Sequence, residues 1–178
     1  MGTFERLDEE LVHRGHVIEL HRCRFRAPDG SVIERDVVRH PGAVSVVAVD
    51  DEGSVVLVRQ FRAPLDREML EIPAGKRDVP GEPLGDTARR ELVEEVGLAA
   101  EHLEPLVTFH NSVGFSDEES HVFLATGLSE VGHDRDGPEE QHMEVVRVPL
   151  TATPELIARG DITDAKTVIG LMVALQRV

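Results

Sequence analysis

Short apolar runs, separated by turn residues, dominate this chain and predict mostly strands. His16 to Phe25 reads as a strand, Pro28-Asp29-Gly30 as a turn, and Ser31 to Arg39 as the hairpin partner. Ala43 to Val49 is rich in Val and Ala; Asp50-Asp51-Glu52-Gly53 turns it into Ser54 to Phe61, a second hairpin. Met69 to Ile72 is a short strand leading into Pro73-Ala74-Gly75, and His102 to Phe109, His121 to Ala125 and Met143 to Pro149 read as further strands. Gly127 to Gln141 is polar and reads as a loop. Helical patterns are few. One runs from a cap at Gly85 or Asp86 to Val96; a second is capped by Thr153, has Pro154 at its first position and ends near Arg159. The last starts at Asp161 or Thr163 and carries Val168, Ile169, Met172, Val173 and Leu175, with Lys166 as a solvated charge. Interleaved strands with few helices give an α+β class.

The helix ending at Val96 breaks a local rule. At about 100° per residue, Glu91, Glu94 and Glu95 fall within roughly 100° of arc, while Ala88, Leu92 and Val96 form an adjoining apolar stripe. The carboxylates crowd the last turns before Gly97, where the helix dipole disfavours anions by ~0.3–1 kcal/mol each. Taken alone, such a cluster reads as a solvated acidic face. Hard divalent cations take oxygen ligands, and Mg²⁺ needs only one or two carboxylates beside substrate phosphates.

The wider pattern changes that reading. Gly75, Glu82, Arg90-Glu91-Leu92, Glu94-Glu95 and Gly97-Leu98 resemble the Nudix box, the loop–helix–loop signature of Nudix hydrolases. Six residues separate Gly75 from Glu82, one more than the usual form, and the extra one falls in the turn-rich segment 77–83, where the backbone can absorb it. The resemblance implies a Nudix fold, a mixed β-sheet sandwiched between helices. A small N-terminal antiparallel β-subdomain (1–40) would precede the hydrolase domain (41–178). It also implies metal-assisted hydrolysis of a diphosphate linked to another moiety. By that resemblance Glu91 and Glu95 are the principal metal ligands and Glu94 a further one, direct or through water. The backbone carbonyl of Ala74 is another, and Arg90 orients the carboxylates. Glu82 matches the first glutamate of the box.

Other segments resemble the ADP-ribose pyrophosphatases within that family. Gly114-Phe115-Ser116-Asp117-Glu118 is similar to the loop bearing their catalytic glutamate, which places the base at Glu118, or at Asp117 or Glu119 if the loop slides by one. The Arg59-Gln60-Phe61-Arg62 strand end and the Glu71-Ile72-Pro73-Ala74-Gly75 entry to the box resemble theirs too. The match implies that Arg62 and Arg35 contact phosphate, Arg59 ranking below them, and that Glu71 reads a substrate hydroxyl or helps near the metal. His16 stands where relatives present an aromatic residue to adenine; the alternative is a plain exposed histidine. Glu139 and Glu140 resemble acidic residues that some relatives place near substrate. The expected reaction is hydrolysis of ADP-ribose to AMP and ribose 5-phosphate with Mg²⁺ or Mn²⁺. The alternatives are another nucleotide sugar, such as GDP-mannose or ADP-glucose, or a non-catalytic ADP-ribose sensor. In such enzymes the N-terminal subdomain exchanges between protomers, which implies a homodimer.

Composition sharpens the partners. A net charge of −15 argues against a polynucleotide binder and requires local neutralisation of a phosphate substrate. Of 19 basic residues, 17 are Arg, the side chain suited to bidentate phosphate contacts. With no Trp or Tyr, base stacking falls to Phe, His or Arg. The nine histidines form no zinc-like pair; His40, His110 and His121 read as solvated or structural. The single cysteine, Cys23, precludes an internal disulfide and points to a reducing compartment. An acidic N-terminus and the lack of a long apolar run make a cytoplasmic protein without membrane partners the expectation.

Overall fold

The computed structural model describes residues 2–132 and 142–178. Glu139 and Glu140 lie outside the described residues. The chain divides into two compact units, Met1–Gly42 with His110–Glu119, and Ala43–Phe109 with Ser120–Val178.

The first unit is a three-stranded antiparallel sheet in the order β1-β2-β3, formed by Glu5–Arg14, Glu19–Arg26 and Val32–Arg39. The apolar pattern does not reveal β1, because all but one of its ten residues are exposed and six are charged. Charge sets its register instead. Glu5 lies opposite Arg26, Asp8 opposite Arg24, Glu10 opposite Arg22 and Arg14 opposite Glu19. Three of these pairs close into ion pairs, such as Arg14–Glu19 at 2.7 Å. Opposite charges directly across an antiparallel pair contribute roughly 0.2–1 kcal/mol each. The second strand therefore begins at Glu19 rather than His16, and His16 sits in the turn that joins it to β1. The segment 111–118 is tied to β3: Val38 N donates to Phe115 O at 2.7 Å and Asp117 N donates to Val38 O at 3.2 Å.

The second unit holds a seven-stranded mixed sheet. Its strands are β4 (Ala43–Val49), β5 (Ser54–Arg62), β6 (Arg67–Glu71), β7 (Ala74–Lys76), β8 (Leu98–His110), β9 (Glu119–Glu130) and β10 (Glu144–Pro149). The main path runs β10-β5-β4-β9-β8, with β4 and β9 parallel. β4 is buried almost end to end, as its unbroken Val/Ala run requires of a central strand covered on both faces. β9 runs on to Glu130, so the polar stretch from Gly127 begins as strand, and β8 starts at Leu98, directly after Gly97, rather than at His102.

Helix α1 (Leu84–Val96) covers one face, packing Ala88, Leu92 and Val96 against Val44, Val46, Val58 and Phe123. The predicted stripe is the buried one, and truncating the fully buried Leu92 to alanine would cost ~2–5 kcal/mol. Gly97 ends the helix in the left-handed region, φ 69°, its N–H bonded back to Val93 O. Helices α2 (Thr153–Arg159) and α3 (Ala165–Ala174) lie with the core on the other face, around Leu57, Leu124, Ile162 and Leu171. Capping departs from the sequence reading at each of these helices. Pro83 precedes α1 and offers no side-chain cap. Thr153 is inside α2, its hydroxyl donating to Leu150 O at 2.7 Å. Asp164 is the cap of α3, accepting from Thr167 N at 3.0 Å.

The feature that builds the site is a fork in this sheet. β4 and β5 pair only at Ala48–Val56 and Val49–Val55. Beyond that point β6 takes the open edge of β5, and β7 takes that of β4. Ile72 and Pro73 bridge the two, Pro73 O accepting from Val46 N at 2.9 Å.

Candidate active site

Ala74 and Gly75 emerge from the fork held in register on β4, opposite Ser45 and Val44. Helix α1 packs beside β7. A Cβ on Gly75 would lie 1.8 Å from the Glu91 carboxyl carbon and 2.0–2.2 Å from its oxygens. Only glycine lets the backbone approach that carboxylate, so the conformational freedom of Gly75 matters less than its missing side chain. Ala74 N donates to Glu95 Oε2 at 2.8 Å, which ties the last turn of α1 to the same corner.

Glu91 and Glu95 are both buried, at 9% and 5% exposure. Burial pushes Glu91 up to about 7; Glu94 and Asp78 push the same way while Arg90 opposes them. Burial also pushes Glu95 up to about 8; the Ala74 N–H opposes that and the Glu91 charge adds to it. Desolvating neighbouring carboxylates in this way disfavours their charged forms. A bound cation would reverse that balance. The donor set is hard oxygen, which suits Mg²⁺ or Mn²⁺ and not a thiolate-seeking metal. Among the described residues no three His, Cys, Asp or Glu side chains are already gathered in ligand geometry. Two carboxylates suffice for a cation that keeps several waters and borrows oxygens from a phosphate.

Arg90 draws the rest of the box together. Its Nη1 lies 2.9 Å from Glu94 Oε2 and 2.9 Å from Glu91 Oε1, and its Nη2 lies 3.3 Å from Glu82 Oε2. Glu82 also accepts from the Thr87 hydroxyl at 2.8 Å. Glu82 therefore meets Arg90 despite the added residue in segment 77–83.

A second charged cluster lies at the end of β6. Glu71, 1% exposed, takes the Arg62 guanidinium side-on, Oε1 accepting from Nε at 2.7 Å and Oε2 from Nη2 at 2.6 Å. The Lys166 ammonium also donates to Glu71 Oε2, and to Asp164 Oδ2 at 2.9 Å. Burial alone would push the Glu71 carboxyl up, but Arg62 and Lys166 outweigh it and hold it below the usual range. Lys166 is thus no solvated charge; its side chain is only 12% exposed. The sequence carried a signal for this, since a cation in the first turn of a helix opposes the helix dipole.

The remaining candidates are placed as follows. Arg59 lies 3.4 Å from Glu144. In the first unit, Arg35 is exposed on β3 and donates to Glu34 O at 2.7 Å, and His16 is exposed. Asp117 is engaged by Arg39 at 2.9 Å and by His40 N at 3.0 Å, so its carboxylate fastens the loop. Glu118 Oε1 stands 3.9 Å from His40 Nδ1 and is partly exposed. In the second unit, His121 Nδ1 pairs with the Thr108 hydroxyl at 3.1 Å.

A mixed sheet between helices, with a glycine-gated carboxylate pair at its fork, defines a class. The chain matches the family described as "NUDIX domain" over residues 39–168 and belongs to that family. It is 41% identical to the "ADP-ribose pyrophosphatase" of Mycobacterium tuberculosis over 169 residues, 95% of this chain and 82% of that one. It is 43% identical to the "ADP-ribose pyrophosphatase" of Bacillus subtilis over 159 residues, 89% of this chain and 85% of the relative. A solved structure, "Crystal structure of ADP compounds hydrolase", shares the fold at TM-score 0.85 and 24% identity, covering 99% of this chain and 94% of that one.

Proposed function

We propose that this protein hydrolyses the diphosphate of ADP-ribose, giving AMP and ribose 5-phosphate, with Mg²⁺ or Mn²⁺. One observation carries the chemistry: two buried carboxylates on successive turns of one helix meet the backbone of β7, Glu91 at the side-chain-free Gly75 and Glu95 at the Ala74 N–H. The relatives of that name, matched over most of the chain, support the substrate. Glu91, Glu95 and the Ala74 carbonyl are the groups that would hold the cations, with Glu94 as a further ligand. When bound, the cations supply positive charge for the attacking and leaving oxygens of the displacement. Arg90 fixes the orientations of Glu91 and Glu94 through its 2.9 Å contacts. Arg62 and Arg35 neutralise substrate phosphates, which the −15 net charge makes necessary. Glu118 receives the role of base from the resemblance of its loop, while the neighbouring Asp117 is held by Arg39. His16 is assigned to the adenine. The protein would act as a cytoplasmic homodimer on a small nucleotide sugar.

The test is hydrolysis in ¹⁸O-labelled water with Mg²⁺. AMP and ribose 5-phosphate, one of them carrying the label, are the expected products. A kcat/KM about tenfold higher for GDP-mannose than for ADP-ribose would overturn the substrate assignment.

A further inference from the structure

We infer that Lys166 is a positioning residue that keeps the charge of Arg62 available to a phosphate group of the substrate. The inference rests on the reading of Arg62 as a phosphate-binding arginine. Glu71 lies almost wholly buried beneath the Arg62 fork, and both its oxygens accept from that one guanidinium. A guanidinium so engaged has its charge neutralised locally and has little left for a phosphate. Lys166 supplies a second cation to the same carboxylate, at Oε2. With Asp164 included, the cluster holds Arg62 and Lys166 against Glu71 and Asp164. Without Lys166, Glu71 and Asp164 would both draw on the Arg62 charge and leave less of it for a phosphate.

The geometry that keeps Lys166 in place is specific. Asp164 Oδ2 accepts from Lys166 Nζ at 2.9 Å, from Thr167 N at 3.0 Å and from the Thr167 hydroxyl at 2.6 Å. The same hydroxyl accepts from Ile72 N at 3.0 Å, so the first turn of α3 is locked to the residue after Glu71. Lys166 and Glu71 thus meet at a fixed joint, not through two flexible surface chains. Arg62 itself stays 37% exposed and keeps further N–H donors beyond the two given to Glu71.

The test compares the wild type with Lys166→Met, Lys166→Arg, Arg62→Met and the double variant, measuring kcat, KM and thermal midpoint with ADP-ribose. Lys166→Met should raise KM about tenfold with kcat within about threefold, the mark of lost binding common to ground and transition states. Lys166→Arg should bring KM back to within about threefold of wild type. In the Arg62→Met background, Lys166→Met should change KM by less than about twofold, because the cation whose charge it preserves is gone. An additive effect in that background, or an unchanged KM in Lys166→Met, overturns the inference. An unchanged KM in Arg62→Met alone instead overturns the assignment of Arg62 to phosphate, and this proposal with it. Should Lys166→Met not fold, Lys166→Gln, which keeps a donor to Glu71 without the charge, carries the same comparison.

Discussion

Replacing Gly75 by alanine would place a methyl carbon 1.8 Å from the Glu91 carboxyl carbon, so that carboxylate must leave its place. We expect Gly75→Ala to fold but to lose about 10²-fold or more in kcat/KM, since misplacement by ~1 Å carries that cost. A variant within about threefold of wild type would show that Glu91 needs no fixed position. Glu95→Gln addresses the other carboxylate through pH. The folded-state value of Glu95 is raised to about 8 from an ordinary 4.5. The metal-free folded protein therefore binds the extra proton, and the associated stability is present below 4.5 and lost as pH rises through about 8. Thermal melts in EDTA should show the midpoint falling between about pH 5 and 8 and levelling above that, with a shallower fall in Glu95→Gln; equal slopes would contradict the assignment. Helical spacing made legible that these two glutamates share one face; the metal role assigned to them came from the resemblance of the box. The place of Lys166 was not legible, because its partner Glu71 lies 95 residues away in sequence and only the fold brings them together.

At the level of elements, the joint between α3 and the β6–β7 bridge makes a separate prediction. Thr167→Val keeps the shape but leaves the buried Ile72 N–H without its acceptor and takes one of three donors from Asp164. Urea unfolding should register a loss of ~1–3 kcal/mol, the cost of an unsatisfied buried donor. A loss below about 0.5 kcal/mol would mean that the helix start does not hold the bridge. The α1 face and the β4 run were readable from apolar spacing. The first strand was not, since Glu5–Arg14 exposes both faces and is paired by complementary charges on β2. Nor was β7 legible, because three residues, Ala-Gly-Lys, carry no strand pattern and pair with β4 only because β4 and β5 diverge. The caps also escaped, since side-chain identity alone does not say which of Asp161, Thr163 and Asp164 turns inward.

For the molecule as a whole, the weakened acidities of Glu91 and Glu95 predict that cation binding expels protons. Mg²⁺ should raise the thermal midpoint more at pH 8.5 than at pH 6, and EDTA should abolish turnover that excess Mg²⁺ restores. A Mg²⁺ stabilisation independent of pH would remove these carboxylates from the cation site. Among the described residues no helix is long and apolar enough to cross a membrane. The segment 77–83 has its own consequence. Lys76 is anchored opposite Ala43, and Glu82 is anchored by Arg90 and Thr87, while residues 77–81 are exposed. Both shores are fixed and the span between them is exposed, touching the box where Asp78 lies 3.5 Å from Arg90, so a change of length past Asp78 costs little. A short Gly-Ser graft after Val79 bearing a fluorophore would give a reporter a few residues from the chemistry without displacing any group that performs it.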